Sequence, residues 1–310
     1  MPRNEGFEYR ERLGPDADGE SLLAHLARRW RHSSSAEWRE RIEAGRVRVD
    51  ARPARPETVL RRGQLLCWRR PPWDEADVPG GLTVLHEDAQ LLAVAKPPGL
   101  PTLPGGGYLQ GTLLYRVRRR VPGAAPLHRL GRWTSGVVLF ARNARAAAEL
   151  SRQWRQRSIR KRYRALAVGR PARASFVVDL PIGPVPHPGL GTVHAAAADG
   201  KPARSRIDVL EQRAADFLCD VVIATGRPHQ IRIHLAAAGH PLVGDPLYAA
   251  GGVPASGCRA LPGDPGYRLH AAALTFRHPA TGREVTVECP PPPGLRRTPG
   301  GGSPSTGSAP

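Results

Sequence analysis

At 310 residues the chain can hold one large domain and one small one, each with its own core. It has no run near the roughly 18 apolar residues that a membrane span needs. Lysine and arginine outnumber aspartate and glutamate 46 to 27, a net charge of +19, which favours a polyanionic partner, most often nucleic acid. The charged opening MPRNEGFEYRERLG lacks the apolar centre of a signal peptide, so the expectation is a soluble, cytoplasmic, monomeric protein. No strongly amphipathic basic helix with a bulky apolar face argues for a membrane surface. The cysteines Cys67, Cys219, Cys258 and Cys289 lie far apart and form no CxxC pair, which speaks against a disulfide framework or a zinc site.

Taken in chain order, residues 1–19 are polar and read as a flexible N-terminus. SLLAHLARRWR, from Ser21, has helical spacing. A second helix is expected at SSSAEWRERIEAG, with Ser34 and Glu37 in capping-box register and Gly45 as its stop. RVRVD and LRRGQLLCW read as strands, so residues 20–70 form a small α+β domain. PPWDEADVPG lies in an expected linker, 71–81. The main domain, 82–290, opens with the pair LTVLHED and QLLAVAK. Further strand patterns are VVLFAR, YRALAV, FVVDL, SRIDVLEQ, FLCDVVIA, LHAAALTF and EVTVEC. Helices are expected at TLLYRVRRRV, ARAAAELSRQWRQR and HQIRIHLAAAG, the last entered through Pro228. Many strands with few helices imply an α+β fold on a large, mainly antiparallel mixed sheet. There is no GxGxxG after a strand to suggest a dinucleotide. Residues 291–310, rich in proline and glycine, read as a disordered tail.

Three segments concentrate chemistry. HRLGRWTSG, 128–136, is a polar loop with two arginines and no acid. KRYRALAVG, 161–169, sets a tyrosine among cations at a strand start. ATGRPHQIRIHLAAAGHPLVGDPLY, 224–248, runs from a turn through a helix to a Gly-Asp-Pro turn. His229 and His234 stand five apart on the expected helix, a poor spacing for a metal, and no metal or cofactor is expected. A tyrosine at a strand start is ordinarily a core residue with its hydroxyl at the rim. The arginines at 118–120 read as a solvated helix face, and Trp133 reads equally as loop packing or as a base-stacking ring.

In order and spacing, these blocks resemble the RluA-type RNA pseudouridine synthases, whose pattern is HRLD-x-x-TSG, then K-x-Y-x-A, then TGR-x-HQIR-x-HL with a GD-x-x-Y turn. VAKPPGLPTLPGGG (94–107) and GKPARSRIDVL (200–210) add to the match, which spans about residues 82–290. The N-terminal domain resembles the small alpha-L RNA-binding domain shared with ribosomal protein S-four. The resemblance implies isomerisation of uridine to pseudouridine in structured rRNA or tRNA, without cofactor or metal. The N-glycosidic bond breaks, the uracil turns, and it rejoins through carbon. The target base must leave its stack to reach the pocket.

Residue by residue, the resemblance makes Arg129 the holder of the displaced base's place. It sets Tyr163 against the uracil, where it acts in proton transfer, and makes Arg232 the partner of the catalytic aspartate. Arg132, Lys161, Arg227 and His229 are expected to contact RNA. The aspartate's own position holds Gly131. A glycine permits positive φ and close approach, and leaves room for a water or a phosphate that Arg232 would meet. Asp199, Asp245 and Asp264 read as loop or turn residues. The alternative to an enzyme is an inactive relative that binds RNA as a folding or assembly factor.

Overall fold

The computed structural model describes residues 3–298 of the chain, which divide into two units between Asp77 and Val78. In the first unit, strands β1 (Phe7–Arg12), β2 (Val47–Val49), β3 (Arg52–Pro53) and β4 (Leu65–Arg70) form one sheet in the order β1-β4-β2-β3. Helices α1 (Leu22–Arg29) and α2 (Ser35–Glu43) pack their apolar stripes on it. Leu22, Leu26, Trp38 and Ile42 close on Val47, Leu66 and Trp68. The start of α2 carries the expected capping box. The Glu37 N–H donates to Ser34 Oγ and the Ser34 N–H to the Glu37 carboxylate. Gly45, at φ 70°, follows the helix end.

Two expectations fail in this unit. Residues 3–19 are not a loose terminus, and residues 1–2 of that expectation lie outside the described residues. FEYRER pairs along its whole length with β4, Tyr9 stacks on Trp68 at 4.8 Å, and Leu13 and Ala17 are buried. Charged side chains alternate on the outer face of this edge strand, so polar composition hid a backbone that the ladder satisfies. Nor is 71–81 a free linker. Asn4 Nδ2 donates to Glu75 at 2.7 Å and the Asn4 N–H to the Trp73 carbonyl, while Val78 packs into the core of the second unit.

The second unit is built on β5 (Thr83–Glu87), β6 (Leu91–Lys96), β7 (Ala125–Pro126), β8 (Ser135–Ala141), β9 (Arg160–Val168), β10 (Ser175–Asp179), β13 (Arg204–Gln212), β14 (Asp216–Ile223), β15 (Leu269–Arg277) and β16 (Glu284–Glu288). They make one sheet in the order β10-β13-β14-β9-β15-β8-β6-β5, with β16 on β15 and β7 on β8. Among the strand pairs of this sheet only β15 with β8 is parallel, so the α+β fold and the mainly antiparallel sheet are as expected. Strands β11 (Ile182–His187) and β12 (Gly191–Ala196) form a separate hairpin. Helices α3 (Leu113–Arg120), α4 (Ala144–Arg155) and α5 (Gln230–Ala237) cover the sheet. Strand β8 is buried at every position, as its unbroken apolar run requires.

The expected disordered tail is corrected for 291–298. Leu295 is buried against Leu166 and Leu218, its carbonyl accepts from Arg164, and Thr298 donates twice to Glu211. The rest of that expectation, 299–310, lies outside the described residues. No helix among the described residues is long and apolar enough to cross a membrane.

Candidate active site

Four neighbouring strands converge on one cavity of about 290 Å³. The loop 128–136 leads into β8, Lys161 and Tyr163 stand at the start of β9, β14 ends at Ile223, Tyr267 lies two residues ahead of β15, and Leu269 begins it. The turn after β14 and the first residues of α5 close it. The three sequence blocks thus meet around one space.

The loop is braced from behind. Lys96 is fully buried and donates to the carbonyls of Pro97, Leu100 and Arg132 at 2.7–2.9 Å. Burial, and then the charge of Arg132, bring its amine down to about 7. Thr102 Oγ1 donates to the Leu130 carbonyl, and the Leu130 N–H donates back. Trp133 packs the loop, its indole N–H donating to the Gly263 carbonyl at 2.9 Å. The segment 94–107 therefore acts as the loop's scaffold.

Gly131 faces the cavity, and its φ is not positive, so the backbone freedom that a glycine permits is not used there. Close approach is what remains. A Cβ at 131 would stand 2.9 Å from the Tyr267 hydroxyl and 3.4 Å from Thr134 Oγ1. Tyr267 is buried, and its hydroxyl is hydrogen-bonded to Thr134 Oγ1 at 3.3 Å.

Arg232 is also corrected. Its side chain is 2% exposed, and it donates through Nε and Nη2 to both oxygens of Asp245, itself 1% exposed, at 2.7 and 2.8 Å. A third donor reaches the Pro262 carbonyl. The rings of Tyr267 and Tyr248 lie 4.2 and 5.0 Å from the guanidinium carbon. A fork already matched to a buried carboxylate is not waiting for a stray anion. Asp245 also accepts from the Leu247 and Tyr248 N–H groups, so the turn role expected for it holds beside the ion pair. Asp199 is exposed, and Asp264 accepts the Leu261 N–H in its own turn. No aspartate or glutamate lines the cavity among the described residues.

Tyr163 is half-buried and packs against two core clusters. Burial pushes its hydroxyl up to about 12, so it stays protonated at neutral pH. Lys161 lines the wall, with its amine donating to the Thr225 carbonyl at 3.1 Å. Arg129 is exposed at the cavity and has no hydrogen bond to a described residue, and Arg227 lines it nearby. Arg132 is not part of the lining. Its guanidinium donates to the Gly99 carbonyl and stacks on Tyr108.

His229 sits at φ 56° ahead of α5, so the helix begins after Pro228 and not through it. The Tyr248 hydroxyl donates to the His194 carbonyl at 2.6 Å, so at 2.7 Å it accepts from His229 Nδ1. Burial, then the nearby charge of Arg232, lower this histidine to about 3. It is neutral, with Nε2 as its unprotonated nitrogen. Tyr267, Tyr248 and Trp154 escaped sequence reasoning. Tyr248 ended the third block, but the other two carried no local signal.

The RNA pseudouridylate synthase family model matches residues 90–237. An RNA pseudouridine synthase of Synechocystis is 43% identical over 88% of this chain and 95% of its own length. RNA pseudouridine synthase 5 of Arabidopsis thaliana is 36% identical over 94% and 95%. The dual-specificity RNA pseudouridine synthase RluA of Escherichia coli K12 is 38% identical over 67% and 93%. Among solved structures, human RNA pseudouridylate synthase domain containing 1 superposes with a TM-score of 0.56 at 28% identity, over 70% of this chain and 89% of that one. With these relatives and this fold, the chain belongs to the RluA-type RNA pseudouridine synthase family.

Proposed function

We propose that this protein isomerises uridine to pseudouridine in structured ribosomal or transfer RNA, from a site in which Gly131 stands where an aspartate was expected. The observation that carries the reading is the single cavity lined by residues of all three sequence blocks. A flipped uracil would lie against Tyr163, with Arg129 entering the place it left in the RNA. Lys161, Arg227 and the cavity face of His229 would meet the displaced nucleotide and its phosphates. Arg132, held on Tyr108, would act on RNA outside the pocket or only through the loop's shape. The net charge of +19 supports phosphate-dominated binding, and the N-terminal unit is read as a second RNA-binding element.

The second reading is an RNA-binding relative that assists folding or assembly without catalysis. What favours it is the absence of any carboxylate among the described cavity-lining residues. The two part in one experiment. RNA extracted from a strain of the source organism lacking the gene is incubated with the purified protein, and pseudouridines are mapped at nucleotide resolution. One or a few new sites are expected. Tight binding with no new pseudouridine would reject the enzyme reading in favour of the second.

A further inference from the structure

The cavity needs an oxygen near residue 131, and the fold supplies one. Within 4 Å of where a Cβ at 131 would lie, chain neighbours aside, there are two heavy atoms, the Tyr267 hydroxyl and Thr134 Oγ1. Both belong to the cavity wall. None of the other candidates has an atom within 4 Å of this spot. The Lys161 amine donates to Thr225, His128 Nε2 accepts the Leu139 N–H, and His229 Nδ1 is held on the Tyr248 hydroxyl. The Tyr267 ring also lies 4.2 Å from the Arg232 guanidinium carbon, so a positive charge faces any negative charge that grows on the phenol.

We propose that Tyr267 is the catalytic residue of this site, its hydroxyl acting from the space that Gly131 leaves open. This rests on the pseudouridine synthase reading. The Tyr267 oxygen attacks C1′ of the flipped uridine, and a C–O bond forms as the C1′–N1 bond breaks. The electron pair of that bond leaves on the uracil, and the phenolic proton passes to N1. The uracil turns, and C5 attacks C1′ as the tyrosine oxygen departs with the pair of the C–O bond. The proton released from C5 returns to that oxygen. Uridine becomes pseudouridine, the tyrosine ends as it began, and no co-reactant is needed. Phenol nucleophiles are known among glycosyl-transferring sites. Thr134 Oγ1 orients the hydroxyl, and Arg232, fixed by Asp245, steadies the ring.

The test uses the full-length protein with RNA from the gene-deletion strain, and compares wild type, Tyr267→Phe, Gly131→Asp and the double variant under single-turnover conditions. RNA affinity and thermal melting are followed in parallel. Tyr267→Phe removes one buried oxygen and keeps the ring on Arg232. Its turnover is expected to fall about 100-fold or more while RNA affinity stays within about threefold. Gly131→Asp alone is expected to lose activity, because its Cβ meets the Tyr267 hydroxyl. In the double variant the carboxylate takes the vacated place, and turnover is expected to rise about tenfold or more above Tyr267→Phe. An active wild type with an equally active Tyr267→Phe overturns the assignment and leaves the enzyme reading intact. A wild type that binds this RNA and forms no pseudouridine overturns both.

Discussion

Arg232 and Asp245 show how a residue can match a family pattern and sit differently from its expected part. The HQIR block placed a cation in the pocket wall, and the structure joins it to an acid from the GDP turn in a bidentate pair with both side chains buried. Such a pair is costly to break, because the survivor is left charged and away from water. Asp245→Ala should therefore lower stability by about 3–5 kcal/mol. Asp245→Asn should fall between that variant and wild type, since its amide oxygen can still accept the Leu247 and Tyr248 N–H groups. Urea midpoints of the three proteins decide the matter. An Asp245→Ala protein within about 1 kcal/mol of wild type would mean that water reaches Arg232 and that the pair does not anchor the pocket.

At the level of elements, the site depends on how β8 meets β15. These strands run parallel through a short contact where Gly136 stands opposite Ala271, and it places the loop 128–135 beside Tyr267. Gly136 has φ 114°, and a Cβ there would fall on the Ala271 carbonyl oxygen. Only glycine fits the strand at this point. Gly136→Ala should cost about 4 kcal/mol or more and lower the melting temperature by about 10 °C. A shift below about 2 °C would show that the strands can part there without loss. Alternation and capping made most of these elements legible in the sequence, including the Ser34–Glu37 box and the buried run of β8. Elements whose composition contradicts their pairing were not. FEYRER is too polar to read as a strand, the β11–β12 hairpin is interrupted by proline and glycine, and Leu295 is one apolar residue in a proline-rich tail. Within the site, Tyr163 and Gly131 stood in recognisable blocks. Tyr267 became visible only when β15 settled between β9 and β8, because long-range pairing leaves no local periodicity.

Across the second unit, neutral histidines bind the strands and the site together. His128 Nε2 accepts the Leu139 N–H, and His229 Nδ1 donates to Tyr248. His234 bridges Ser205 and the Leu180 carbonyl, and His270 bridges Ser135 and the Cys289 carbonyl. A carbonyl accepts only from an N–H, and burial favours the neutral ring, so in the last two the other ring nitrogen is left to accept from a serine hydroxyl. Burial is the first cause that lowers all four, to about 3 for His128 and His229. The sign follows from linkage. In the unfolded chain each would titrate near 6.5, so below that pH the unfolded state takes up protons that the native state refuses. The histidine contribution is full above about pH 6.5 and falls as pH drops towards the native values. The lowered carboxylates Asp88, Glu149 and Glu211 contribute only where free carboxyls begin to protonate, below about pH 4.5. Between pH 6.5 and 5 the histidines therefore govern, each by up to about 1.4 kcal/mol per pH unit. Urea unfolding at pH 6.5, 6, 5.5 and 5, below the window in which the buried Lys96 takes up its proton, should show a midpoint that falls at each step. Replacing His270 with Gln, whose amide can donate to the Cys289 carbonyl and accept from Ser135, should flatten part of the fall. A midpoint unchanged down to pH 5 would mean that these rings accept protons in place, and that the hydrogen-bond pattern holding the site does not depend on their neutrality.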